Sequence, residues 1–272
     1  MAPRAFDITV GEDADERTCE AVRSRRFHAI GATHAALTAA GSLIVISSLG
    51  IAGEMGPSLT AFFGGMAVTL VGAVFLGHRL LVSVRSAVGP QSATLATLVT
   101  AIRASALAPL AGLAVVTVFV DPTAGSGRWI PAILFGVVAG LDAVDGAIAR
   151  ATDSVTALGA RLDTETDALG ILVGSVLVVR YEAAVAAFLA VGGARYLFVA
   201  GKRARSRRGL TLHDLAESQV RRGLAGAAMA SIWIALVPVI DPRLARVITT
   251  VVMVPFLIHF LRDWLVVSGR LG

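Results

Sequence analysis

Four aspartates stand at paired spacings in the middle of an otherwise apolar chain: Asp142 and Asp145, three apart, and Asp163 and Asp167, four apart. Residues three or four apart share one face of a helix. Two neighbouring helices joined by a short link can therefore aim all four carboxylates at one point. A charge at the centre of a bilayer costs about 2.5–3.5 kcal/mol, so four together cost roughly 10 kcal/mol, comparable to the stability of a whole domain. Placement near the interface lowers that figure, and repulsion between like charges raises it. Something cationic must offset it. Arg150 and Arg161 can do so in part. A dense all-oxygen donor set suits a hard divalent cation, Mg²⁺ or Mn²⁺, which typically also takes oxygens from a substrate phosphate. One such aspartate alone is more often a loop charge or an ion-pair partner at a helix end. Four at paired spacing beside two glycines are not accounted for in that way.

The glycines lie on the same lips. Gly146 follows Asp145 directly, and Gly159 stands one turn before Asp163. With no Cβ, each allows a ligand or another backbone to come close. Gly136 and Gly140 form a small-xxx-small pair, which reads as tight helix packing.

The elements that must hold these residues are membrane helices. Of 272 residues, 56% are hydrophobic and only 16% are charged, where soluble domains carry about 45–50% and about 25%. A span needs ~20 mostly apolar residues, and eight candidates stand out: Ala35–Gly53, Leu59–Gly77, Ala96–Val120, Trp129–Arg150, Thr166–Val179, Ala183–Ala200, Gly223–Ile240 and Val247–Leu261. Gly56-Pro57, Gly89-Pro90, Asp121-Pro122 and Asp241-Pro242 mark the gaps. With the N-terminus inside, only Arg128, Arg180, Arg243 and Arg246 of the 24 basic residues fall outside. That bias is the positive-inside pattern of eight spans with both ends cytoplasmic. The net charge of +5 is therefore assigned to loops beside anionic lipid and cytosol, with no nucleic-acid partner. The single Cys19 excludes an internal disulfide and a Cys-rich metal site. The charged stretch Met1 to Phe27 predicts no cleavable signal peptide.

Read as a pattern, residues 142 to 167 are D-x2-D-G-x2-A-R-x8-G-x3-D-x3-D. This resembles, at every fixed position, the signature of the CDP-alcohol phosphotransferase family of membrane enzymes. At about one in twenty per position, a chance match of its eight fixed residues is on the order of 10⁻⁸. Val99-Thr100-Ala101-Ile102-Arg103 followed by Pro109 is similar to the Leu-Thr-x-x-Arg run and proline that often open the family's first helix, although the asparagine common near that point is absent.

The resemblance implies an all-α polytopic transmembrane bundle with a six-helix core over residues 93–272. Two extra transmembrane helices (35–92) and a polar cytoplasmic tail (1–34) would precede it. It implies that Asp142, Asp145, Asp163 and Asp167 hold Mg²⁺ or Mn²⁺, that Asp167 is the general base for the acceptor hydroxyl, and that Gly146, Ala149, Arg150 and Gly159 line the nucleotide and its phosphates. Arg103, Arg195, Lys202 and Arg205 are its acceptor-binding candidates, although inside loops are basic in any case. The implied reaction is transfer of a phosphatidyl-type group from a CDP-linked lipid to an alcohol or phosphorylated alcohol, with release of CMP. It would take place at the cytoplasmic face of the plasma membrane, and family members are often homodimers.

Rival readings are a polyprenyl-diphosphate transferase, which should carry a second acid-rich motif, and a cation- or proton-coupled transporter, which would not need this arginine and these glycines. A catalytically silent structural protein explains least. His28, His34, His78, His213 and His259 show no shared metal spacing, and Asp214 and Glu217 with Arg221 and Arg222 read as interfacial helix pairs.

Overall fold

The computed structural model describes residues 38–43, 45, 60–71, 95–118, 126–151, 157–216 and 218–271, and the regular structure among them is helical. Six long helices follow one another: α1 (Leu95–Val116), α2 (Ile130–Ala151), α3 (Ala157–Arg180), α4 (Leu189–Arg207), α5 (Gln219–Leu236) and α6 (Pro242–Val267). Short 3₁₀ turns at Ser126–Trp129 and Ala186–Phe188 precede α2 and α4. Ahead of α1, helical backbone occupies 38–43 and Thr60–Val71, within the first two expected spans. The tail 1–34 lies outside the described residues.

Local chemistry sets several of the helix ends. Asp241 caps α6, its carboxylate accepting from the amides of Arg243 (2.8 Å) and Leu244 (3.4 Å), and Pro242 follows in the first turn, where its missing N–H removes nothing. Ser218 caps α5 by accepting from the amide of Arg221. Gly209 and Gly269, at φ 67° and 68°, follow the C-caps of α4 and α6. There the amides of Leu210 and Arg270 return to the carbonyls of Arg205 and Leu265, which satisfies carbonyls that the helix leaves open.

Two expected boundaries shift. The sixth span was placed at Ala183–Ala200, but after Arg180 the chain makes a turn and α4 begins only at Leu189, then runs on through the basic residues to Arg207. Charge takes a helix out of lipid without ending it, so an apolar window finds the buried part of a helix and misses its length. The same reason extends α3 back from Thr166 to Ala157, through the acids.

Packing places α1 between the two helices that carry the aspartates. It lies along both α2 and α3, which touch each other little, while α5 closes against α2, α3 and α6. Small residues let these helices approach. A Cβ on Gly174 of α3 would stand 2.6 Å from Phe135 of α2 and 2.7 Å from Ile232 of α5, and one on Gly192 of α4 would stand 2.9 Å from the Leu172 backbone. Gly136 meets the Trp233 indole in the same way, as expected of a packing glycine. At Gly140 no described atom comes within 4 Å of the Cβ position. Ahead of the core, Gly41 seats Pro109, and Phe62 and Gly65 meet Gly112 and Val115, so both N-terminal helical stretches pack on α1.

Among the described residues one helix, Pro242–Val267, is by itself long and apolar enough to cross a membrane, with mean hydropathy 2.0. Its Leu244, Val247, Val251, Val254, Ile258 and Leu261 form an exposed stripe at helical spacing. Thr60–Val71, Ala106–Val116 and Ile130–Leu141 are shorter apolar stretches.

Overpacking at Gly174 tests this core. Gly174→Val is expected to lose about 1–3 kcal/mol, read as a lower thermal midpoint in detergent. Gly226→Ala, where nothing lies within 4 Å, is expected to be neutral or to gain up to about 1 kcal/mol. Equal effects at the two positions would contradict the α2–α3–α5 contact.

Candidate active site

All four aspartates lie on helices, as their spacing predicts: Asp142 and Asp145 in the second half of α2, Asp163 and Asp167 in the first half of α3. Gly146, Ala149 and Arg150 continue α2, and Gly159 stands near the start of α3. The side chains of Asp142, Asp145, Ala149 and Arg150, and the surroundings of Gly146 and Gly159, lie outside the described residues. Among the described residues no group of three or more His, Cys, Asp or Glu side chains converges as a metal site would require.

Asp163 and Asp167 do come together, and a third helix unites them. Arg103 of α1 donates from Nη1 to Oδ1 of Asp163 and from Nη2 to Oδ1 of Asp167. The arginine side chain is completely buried, whereas the two carboxylates keep 41% and 30% of their exposure. The cation therefore sits inside and the acids face outward from it, toward whatever occupies the opening.

The geometry follows from helix periodicity. Asp167 lies about 40° around α3 from Asp163, so both meet the same neighbour, whereas Glu165 lies roughly 200° away and meets another. Glu165 receives both Nε (3.1 Å) and Nη2 of Arg195 on α4. One helix thus presents acids alternately to α1 and to α4. Sequence reasoning passed over Glu165 because it fills a variable position in the motif. Its spacing to Asp163 was the available signal: an acid two residues on must leave the shared face.

The remaining acceptor candidates are placed differently. Arg205 donates from Nη2 to the carbonyls of Thr211 (3.2 Å) and Ser268 (3.1 Å). It thereby binds the carbonyl-rich C-terminus of α6, where cations are favoured. Lys202 is half-buried one turn earlier on α4. Arg221 pairs with Asp263 of α6 at 2.9 Å, and its Nη2 also donates to the Ala216 carbonyl. His259 lies 3.7 Å from the same Asp263.

At the opposite end of the bundle, Arg180 donates to the Thr117 carbonyl (2.7 Å) just past α1. Arg246 donates to the carbonyl of Glu182 (2.6 Å) and pairs with its carboxylate (3.3 Å). Arg103 meets the start of α3 and Thr117 meets its end, so α1 and α3 run parallel, side by side, over roughly 20 Å.

A family model described as CDP-alcohol phosphatidyltransferase matches residues 93–266, more than half of the chain and nearly all of α1 to α6. No curated protein and no solved structure matches the chain.

The Glu165–Arg195 pair is half-buried and bidentate, so it should be coupled. Stability measured for Glu165→Gln, Arg195→Met and the double variant is expected to give an interaction of about 0.5–3 kcal/mol. Strict additivity would mean that α3 and α4 are not joined there.

Proposed function

This chain belongs to the CDP-alcohol phosphatidyltransferase family, and from that premise we propose that it transfers a phosphatidyl-type group from a CDP-linked lipid to an alcohol, releasing CMP, with a divalent cation held by Asp142, Asp145, Asp163 and Asp167. The family comprises membrane-embedded transferases of phosphorus-containing groups and implies transfer of a phosphatidyl group from a CDP-alcohol in phospholipid synthesis. Its members are generally dependent on a divalent metal.

The observation that supports the assignment is the seating of Asp163 and Asp167 side by side, partly open, on the helix that follows the one bearing Asp142 and Asp145. Carboxylate oxygens are the donors that Mg²⁺ and Mn²⁺ prefer, and a buried guanidinium already bridging two of them shows a place that favours positive charge. The donor set fits such an ion. When bound, the cation supplies Lewis-acid stabilisation of the charge that gathers on the diphosphate.

The chain's own residues account for the rest of the reaction. Asp167 takes the proton from the acceptor hydroxyl. That oxygen forms a bond to the lipid-side phosphorus as the bond from phosphorus to the bridging oxygen breaks, and CMP leaves with the electron pair. Arg150 and the glycine backbone at Gly146 and Gly159 receive the nucleotide and its phosphates, with the small side chain of Ala149 beside them. Displacement in one step needs no covalent enzyme intermediate. The acceptor enters from the side of α4, where Arg195 and Lys202 lie. A homodimer is the expected assembly.

The chain divides into a tail (1–34), a two-helix extension (35–92) and the transferase domain (93–272). The acid end faces the cytoplasm of a plasma membrane, with both termini on that side, because the basic residues crowd that end.

Purified protein with Mn²⁺ or Mg²⁺ is expected to release CMP from CDP-diacylglycerol only when an alcohol is supplied, and Asp167→Asn should lose about 10²–10⁴-fold in kcat per folded molecule, the folded fraction being read from thermal melts because Asp167 also pairs with buried Arg103. A fully active Asp167→Asn would remove that residue from the mechanism. For orientation, single cysteines at Ser206 and Arg243 in a Cys19→Ser background should react with a membrane-impermeant maleimide from opposite sides. Labelling of both from outside would reverse or abolish the topology.

A further inference from the structure

Arg103 is the largest fully buried side chain among the described residues. It comes from neither motif helix but from α1, the helix packed along both. A guanidinium is a planar fork with fixed N–H directions, so it can hold two acceptors at a set separation, which an ammonium cannot do. Its Nη1 and Nη2 take one oxygen each from Asp163 and Asp167. A carboxylate has two oxygens and about four lone-pair sites, so an oxygen given to Arg103 leaves it able to ligate a cation.

We propose that Arg103 is a positioning residue, one that sets the mutual geometry of Asp163 and Asp167 and thereby the affinity of their site for the divalent cation and the aim of Asp167 as base. This reassigns it from acceptor binding. A side chain with no exposed surface, engaged with two carboxylates, reaches an incoming alcohol only by abandoning both of them. The proposal rests on the metal-dependent transfer proposed above. It adds that the first core helix, outside the 142–167 motif, is part of what makes that motif competent.

Charge and geometry can be separated by substitution. Removing the positive charge, as in Arg103→Met, strengthens attraction for a metal while losing alignment, so its net effect mixes two terms of opposite sign. Arg103→Lys keeps the charge and loses the fork. If alignment is what Arg103 supplies, the lysine variant behaves as loss of a metal site's outer support does, which typically costs about 10–100-fold in metal affinity or activity.

The test uses the full-length protein in detergent, with Mn²⁺ alone as the binding probe, followed by electron paramagnetic resonance of free Mn²⁺. CMP release is measured in parallel and thermal melts give the folded fraction. For Arg103→Lys the expected result is Mn²⁺ half-saturation raised about tenfold, kcat lowered about tenfold or more, and the acceptor KM within twofold of wild type. Wild-type Mn²⁺ binding and kcat per folded molecule, with only a lowered melting point, would reduce Arg103 to a stability role and overturn the proposal. A raised acceptor KM with unchanged Mn²⁺ binding would overturn it in favour of acceptor recognition. Wild-type protein that neither binds Mn²⁺ nor releases CMP would sink the transfer reading itself, and the proposal with it. An active wild type beside an indifferent Arg103→Lys would sink the proposal alone.

Discussion

A carboxylate pair in an apolar bundle must be given a counter-charge, and here the bundle supplies one from within. Arg103 is sealed beneath Asp163 and Asp167 while their outer sides remain partly open. The arrangement is asymmetric in its energetics. Taking away the acids would leave a buried, uncompensated guanidinium, a loss of about 3–5 kcal/mol in comparable buried pairs. Taking away the arginine leaves acids that water still reaches. The arginine therefore depends on the acids for its burial, and the acids depend on the arginine for their direction. In the proposed site, where Asp142 and Asp145 of the adjoining helix join this pair, Arg103 alone would not neutralise four acids and Arg150 and Arg161 would do so only in part, which leaves a demand for a further cation. That residual demand is the physical root of the metal assignment.

The burial of Arg103 depends in turn on helix packing. α1 can lie along α2 and α3 together because these two touch each other little. Its other contacts come from outside the matched region: Gly41 on Pro109, and Phe62 and Gly65 on Gly112 and Val115. Pro109 breaks the hydrogen-bond ladder of α1 without ending the helix, and a glycine opposite leaves room for its ring. The N-terminal stretches thus cover the side of α1 that the core leaves open, a structural use for residues that contribute nothing to the motif.

Much of this was legible in the sequence, for reasons specific to each residue. Paired spacing placed all four aspartates on helices because periodicity is a local property. Asp241-Pro242 marked the gap before α6 because its capping is equally local. What could not be read was anything settled across the bundle. Arg103 and Asp167 are 64 positions apart, and no pattern within α1 says which acid its guanidinium will meet. Gly140 looked like Gly136 in sequence, but among the described residues only Gly136 has a neighbour, Trp233, within 4 Å. Arg205 looked like the rest of a basic loop and proved to bind the end of α6. The start of α4 was misplaced because hydropathy reports immersion in lipid, which is a different quantity from helical backbone.

Arginines bind backbone carbonyls at both ends of the bundle, Arg205 and Arg221 at the acid end and Arg180 and Arg246 at the other. At the far end Arg180 and Arg246 are bound to backbone carbonyls, and Arg246 to the Glu182 carboxylate as well. Those cations complete helix ends and turns, and the Glu182 carboxylate offsets the charge of Arg246. At the acid end Arg203, Arg207 and Arg208 stand exposed at the C-terminal end of α4, where each can add about 1 kcal/mol of attraction to an anionic surface. A simple count treats all of these arginines alike. Weighted by engagement, two of the four exceptions to the positive-inside pattern, Arg180 and Arg246, are arginines that the fold has already employed, while Arg128 and Arg243 stand exposed. In the proposed orientation the exposed arginines at the end of α4 lie on the cytoplasmic side, where they would also attract an anionic diphosphate headgroup, so orientation and donor capture would draw on one distribution of charge.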